Sequence, residues 1–133
     1  MVAEKINVLV NGSEWAWPEA MRRIFTPCGV DLLIVKAPEE ALVLIRQRRI
    51  HTAILDMDSE NLSGLGTARI LRSQYPHLPC ILLSGSSESR LLSEALGLDV
   101  FSVIAKPVDM VILQQQLNRL FVKRYNNEIF AMQ

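Results

Sequence analysis

Four polar side chains stand where short apolar runs end. Asp56 follows Thr52-Ala-Ile-Leu, Ser84 follows Cys80-Ile-Leu-Leu, Lys106 follows Val100 to Ala105, and Asn11 follows Ile6 to Val10. Apolar runs this short, bounded by polar residues, read as strands buried on both faces of a parallel sheet. In open sheets of that kind, ligands meet the crevice at the carboxyl ends of the strands. An acid, a hydroxyl and an amine are therefore expected to converge on one pocket, beside an amide. A carboxylate is a modest nucleophile, effective only when positioned and when cations neutralise what it attacks. The same set has a plainer use: Asp56 and Lys106 as an ion pair that fixes loop geometry, with Ser84 capping the loop after its strand.

The elements that must position these groups alternate along the chain. Asn11-Gly12 is a strong turn signal, and Pro18 suits the first turn of a helix whose apolar face is Ala20, Met21, Ile24 and Phe25. Pro27 and Gly29 stop that helix, and Asp31 to Ala37 reads as the second strand. Pro38-Glu-Glu opens the next helix, with Ala41, Leu42 and Ile45 inward and the basic cluster Arg46–Arg49 complementing the dipole at its end. After Gly64 a helix uses Ala68, Ile70 and Leu71 and halts at Tyr75-Pro76. A fourth helix runs roughly from Glu88 to Leu96. A fifth, from Asp109 to about Arg124, buries Val111, Ile112, Leu117, Leu120 and Phe121. The sum is a (βα)5 chain: an α/β doubly wound parallel five-stranded sheet in the flavodoxin-like order 2-1-3-4-5. Residues 1–125 make one domain, and 126–133 are a tail or a continuation of the last helix.

Bulk properties exclude several classes. At 133 residues the chain can bury a core without staples. Fourteen Lys and Arg balance fourteen Asp and Glu, so no global field draws it to nucleic acid or membrane. Cys28 and Cys80 lie far apart without CxxC spacing, which fits reduced thiols and a cytoplasmic setting. His77 and Cys80 lack a second ligand pair for a metal. No segment reaches membrane-spanning length, and no signal peptide is evident. A flavin or nucleotide protein is a competing class, but there is no GxGxxG or P-loop, and Asn11-Gly12-Ser13 is a short phosphate loop.

With these residues in order, the chain resembles the receiver domain of two-component response regulators over nearly its whole length. The resemblance rests on Asp56 at the end of strand three, Gly64 after its loop, the strand-four hydroxyl Ser84 and the Lys106-Pro107 pair. It implies that Asp56 accepts a phosphoryl group from a histidine kinase, that Ser84 hydrogen-bonds a phosphoryl oxygen, and that Lys106 supplies positive charge across a cis Lys106-Pro107 peptide. It also implies a Mg²⁺ cofactor held by two acids at the end of strand one. Here those positions are Asn11 and Gly12. Asp56 is the ligand that remains, with Asp58 as substitute and Glu14 or Glu60 behind it. Losing a divalent cation removes several kcal/mol of stabilisation of the developing charge.

Other parts of the family's switch differ as well. Ser59-Glu60 replaces Met-Pro after the phosphoacceptor position. Val103 stands where the family's aromatic switch lies, with Phe101 two residues earlier on the same face as a partial stand-in. Trp15 and Trp17 flank the pocket, covering the helix end or roofing the site. The expectation is a degenerate receiver, not an enzyme, acting through protein contacts. Its surface would be the fourth helix, fifth strand and fifth helix, where Leu91, Leu92, Val108 and Ile112 would engage a partner or a second copy. The alternative is a working phosphoacceptor on Asp56 with Asp58 helping to bind Mg²⁺.

Overall fold

The computed structural model describes residues 6–11, 18–36, 38–57, 64–85 and 89–126, and leaves the side chains of 18–21, 38, 64–65 and 89–92 outside that description. Strands β1 (Ile6–Asn11), β2 (Val30–Val35), β3 (Thr52–Asp56), β4 (Cys80–Ser84) and β5 (Ser102–Ala105) alternate with helices α1 (Pro18–Phe25), α2 (Pro38–Gln47), α3 (Gly64–Gln74), α4 (Ser89–Gly97) and α5 (Met110–Tyr125). The strands pair in parallel in the order β2-β1-β3-β4-β5, as the alternation of elements led us to expect.

Two apolar clusters hold the layers together. On one face of the sheet Val8, Val10, Ile54, Ile81 and Leu83 pack against Phe25 of α1 and Leu113, Leu117, Leu120 and Phe121 of α5. On the other, Leu9, Ala53, Leu55, Cys80 and Leu82 meet Ala41 of α2, Ala68 and Leu71 of α3, and Ala95 of α4. The two-residue period of the strands sends alternate side chains to alternate clusters, which is why β3 and β4 are buried throughout. Each large side chain fully enclosed this way contributes about 1.5–3 kcal/mol.

Helix ends follow from local chemistry. Asp109 caps α5, its carboxylate accepting the Val111 N–H at 2.8 Å. Asn126, in the left-handed region at φ 52°, ends α5 at Tyr125, so the helix does not pass that residue; 127–133 lie outside the described residues. Gly29 closes a short 3₁₀ turn after α1 at φ 77°, with nothing near a hypothetical Cβ, so it is the backbone angle that favours glycine there.

Four expectations need correction. Val111 and Ile112 are 56% and 44% exposed, and Leu113 takes the buried position. With Asp109 as cap, a period of 3.6 places 113, 117, 120 and 121 on one stripe and turns 111 and 112 away. Ile70 lies at the solvent edge of α3, where Thr67, Ala68 and Leu71 face inward. The last strand starts at Ser102, because Leu98 and Asp99 form a turn, with Asp99 at φ 58°. Phe101, preceding the strand in a bend, packs against the α1/α5 cluster, whereas Val103 packs against the other. The two are not on one face, and Phe101 does not stand in for an aromatic at 103.

Candidate functional site

The crevice at the carboxyl end of the sheet is built by four strand ends. Parallel register sets Asn11 opposite Leu55, Asp56 opposite Leu83, and Ser84 opposite Ala105. Asn11, Asp56 and Ser84 are thus brought to one level of the sheet, and Lys106 follows immediately after Ala105. Backbone bonds continue the ladder beyond the strands. The Met57 N–H donates to the Leu83 carbonyl and the Lys106 N–H to the Ser84 carbonyl, each at 2.9 Å. The Lys106-Pro107 peptide is cis, as the resemblance implies.

Two of these four side chains pair directly. Lys106 Nζ lies 2.6 Å from Asp56 Oδ1, a charge-assisted hydrogen bond of short length. The carboxylate is almost fully buried, its side chain 5% exposed, while the lysine side chain keeps 24% exposure. A buried carboxylate needs such a partner, since an uncompensated charge in a low-dielectric site is expensive. Ser84 is buried beside them at the end of β4.

Asn11 plays a part that sequence reasoning missed. Its side-chain carbonyl accepts the Asp56 backbone N–H at 2.6 Å, and the residue is 1% exposed. The amide therefore stitches the end of β1 to the end of β3 at Asp56. The only signal for this was a polar side chain ending an apolar run, which is equally the signal for a ligand.

The donor set decides whether a divalent cation fits. Mg²⁺ demands near-octahedral oxygens and relies on one or two carboxylates for its protein ligands. Here one Asp56 oxygen faces an ammonium and the Asn11 oxygen is engaged by a backbone N–H. Among the described residues there is no group of three His, Cys, Asp or Glu side chains able to hold a metal. The described donors do not fit Mg²⁺. Gly12, Asp58, Glu14, Glu60, Ser59, Trp15 and Trp17 lie outside the described residues.

Elsewhere, some of the residues expected at a contact surface can be placed. Val108 is half-buried and Ile112 exposed; Leu96, Val111 and Val122 are exposed as well, and the side chains of Leu91 and Leu92 are outside the described set. Both cysteines are free, Cys28 exposed and Cys80 buried. Burial pushes the Cys80 thiol up to about 11, with Arg72 pulling weakly the other way. No described helix is long and apolar enough to cross a membrane.

Comparison with known proteins covers the same ground. Residues 14–118 match the model of the response regulator receiver domain, a stretch that starts beyond Asn11 and Gly12. The transcriptional regulatory protein ZraR of Salmonella typhimurium is 20% identical over 119 residues, 90% of this chain and 27% of that protein. The response regulator RR06 of Streptococcus pneumoniae is 24% identical over 120 residues, 90% of this chain and 54% of that protein. The chain thus spans between about a quarter and about half of the length of these relatives. Among solved structures, the signal receiver domain of an HD domain-containing protein from Pseudomonas fluorescens superposes with a TM-score of 0.81 at 19% identity, covering 93% of this chain and 100% of that one. A response regulator receiver protein from Pseudomonas putida does so at 0.77 and 28% identity, covering 89% and 99%.

Proposed function

The chain belongs to the response regulator receiver domain family, and from that premise we propose that it is a degenerate receiver, signalling through protein contacts with weak or no Mg²⁺-dependent phosphorylation. It is a module of two-component signalling. In this reading Asp56 is a retained nucleophile whose charge is answered by Lys106. The observation that carries the reading is the hydrogen bond from the Asp56 N–H to Asn11 Oδ1. The strand-one position that the family gives to an acid is filled here by a neutral amide whose oxygen is engaged with the backbone.

The chemistry supports this. Phosphoryl transfer to a carboxylate proceeds through a transition state with charge spread over three oxygens, so catalysis is mostly positioning and cationic stabilisation. In this reading Ser84 hydrogen-bonds one phosphoryl oxygen and Lys106 neutralises another. Without a divalent ion the rest of that charge has no described counterpart. An ammonium 2.6 Å from the carboxylate also lowers its nucleophilicity, because the attacking lone pair is engaged. The output then rests on the α4–β5–α5 face, where exposed Leu96, Val111, Ile112 and Val122 offer apolar contact to a kinase, another signalling protein or a second copy.

Titration with beryllofluoride and Mg²⁺, followed by amide NMR, tests the reading. Degeneracy predicts no saturable shift at Asp56, Ser84 or Lys106. Tight binding abolished by Asp56→Asn refutes it, and in that event Asp58→Ala tests whether Asp58 supplies the missing ligand.

A further inference from the structure

A concavity of about 410 Å³ lies at the end of the sheet away from Asp56, where α2 and α3 finish and β3 and β4 begin. The length of β3 sets it roughly 16 Å from the crevice, at about 3.3 Å per residue. Its lining is mostly apolar. Leu78 is buried, whereas Ile45, Ile50, Tyr75 and Tyr125 are only half-buried and pack against the edges of the two core clusters. Single apolar side chains at a surface are ordinary, but four large ones around one hollow mark a place where something packs.

Helix α5 delivers the chain to the rim of this hollow. Its last residue, Tyr125, lines the wall, and its phenol donates a hydrogen bond to the backbone carbonyl of His51. The Tyr125 ring meets the His51 ring edge-on, with centroids 5.4 Å apart at 71°, and lies 5.1 Å from the ring of Phe121. The end of α5 is thereby fixed to the segment just before β3. Asn126 then turns the chain off the helix axis at φ 52°, its N–H donating to the carbonyls of Phe121 and Val122. The next seven residues, Asn127-Glu-Ile-Phe-Ala-Met-Gln133, carry the large apolar side chains Ile129, Phe130 and Met132 and a single charge, Glu128. Segments that stay surrounded by water are ordinarily poor in such side chains.

We infer that residues 127–133 fold back over this concavity as an intramolecular cover, with Phe130 seated against Ile45, Ile50 and Tyr75. Reach does not limit the contact: Tyr125 is itself in the wall, and five extended residues from it span up to about 17 Å. Charge suits it as well. Burial raises the Tyr125 phenol, with Arg49 and then Arg124 pulling the other way, so both guanidinium groups lie near the residue from which Glu128 is three steps distant. Because the segment is tethered, it needs no large interface to stay in place. Covered in this way, the far end of the sheet presents no apolar hollow, and the α4–β5–α5 face is left as the surface for partners. The cover does not depend on the state of Asp56, so it stands or falls apart from the degenerate reading.

The test is a nuclear Overhauser experiment on the full chain with labelled isoleucine methyl groups and phenylalanine rings. The expected result is cross-peaks from the Phe130 ring to the Ile45 and Ile50 methyls, of equal relative intensity across a tenfold range of protein concentration. Phe130→Ser should shift those two methyl signals, leave the Asp56, Ser84 and Lys106 amides in place, and lower Tm by about 3–8 °C. Four outcomes overturn the inference. They are absence of cross-peaks between residues 127–133 and the hollow, methyl signals indifferent to Phe130→Ser, cross-peaks from Phe130 to another surface, or cross-peaks that appear between differently labelled copies in a mixed sample, which would make the occupant a second chain.

Discussion

Restoring the missing acid is the sharpest perturbation of this site. Asn11→Asp keeps an oxygen that can accept the Asp56 N–H, so the stitch between β1 and β3 survives. What changes is charge. A second carboxylate enters a position that is 1% exposed, beside a carboxylate that already takes up the Lys106 ammonium. Uncompensated buried charge of this kind costs about 3–5 kcal/mol when nothing relaxes, and solvent reaching the partly exposed lysine trims that to about 2–4 kcal/mol. For a domain of this length each kcal/mol moves Tm by about 3–5 °C, so the variant should melt roughly 6–20 °C below the parent. A divalent cation bound between the two acids reverses the effect. At a Mg²⁺ concentration about 100 times its Kd, linkage returns about 2.7 kcal/mol. Differential scanning fluorimetry at neutral pH, with and without Mg²⁺, reads both numbers. The parent should shift by less than about 1 °C with Mg²⁺. The reasoning is refuted if the parent gains as much from Mg²⁺ as the variant does, or if the variant is no less stable without it.

Other consequences follow from the same geometry. Lys106→Met should cost about 2–3 kcal/mol in urea denaturation, since it strands the Asp56 charge, and adding Asp56→Asn should recover most of that; additive losses would mean that the pair is not coupled. The Cys80 thiol, held neutral by burial, favours the fold fully below its ordinary value of 9.0, and this contribution is lost as pH rises through about 11. Stability should therefore fall by about 2–3 kcal/mol over that window, less steeply in Cys80→Ala, while a thiol reagent labels Cys28 alone in the native state. Burial also raises the Tyr125 phenol, so that group acts in the same direction. Leu117→Ala, at a fully buried site, should cost about 2–5 kcal/mol, whereas Val111→Ser on the exposed side of α5 should change stability by less than about 0.5 kcal/mol and instead weaken partner or self association in sedimentation.

Much of this was legible from residue order. Short apolar runs ending in Asp56, Ser84 and Lys106 identified three strands and their functional ends, because a sheet covered on both faces leaves little room for polar side chains before the crevice. Pro18 and Pro38 marked helix starts for a steric reason that tertiary structure does not override. The misreadings have physical causes too. On α5, Val111 and Ile112 look as apolar as Leu113, and only the position of the Asp109 cap decides which of them lies on the inner stripe. Phe101 was assigned a strand face by counting in twos, but a bend before Ser102 breaks that count. The role of Asn11 as acceptor for the Asp56 N–H needed the register of β1 against β3, which no local pattern encodes.

One measurement bears most directly on the central claim: intact mass of the purified chain after incubation with acetyl phosphate and Mg²⁺, alongside Asp56→Asn. The account expects both proteins to keep their unmodified mass, because Asp56 and Lys106 have no described set of carboxylates to bring a divalent ion to the phosphoryl group. A phosphoryl increment on the parent that needs Mg²⁺ and vanishes with Asp56→Asn would contradict it.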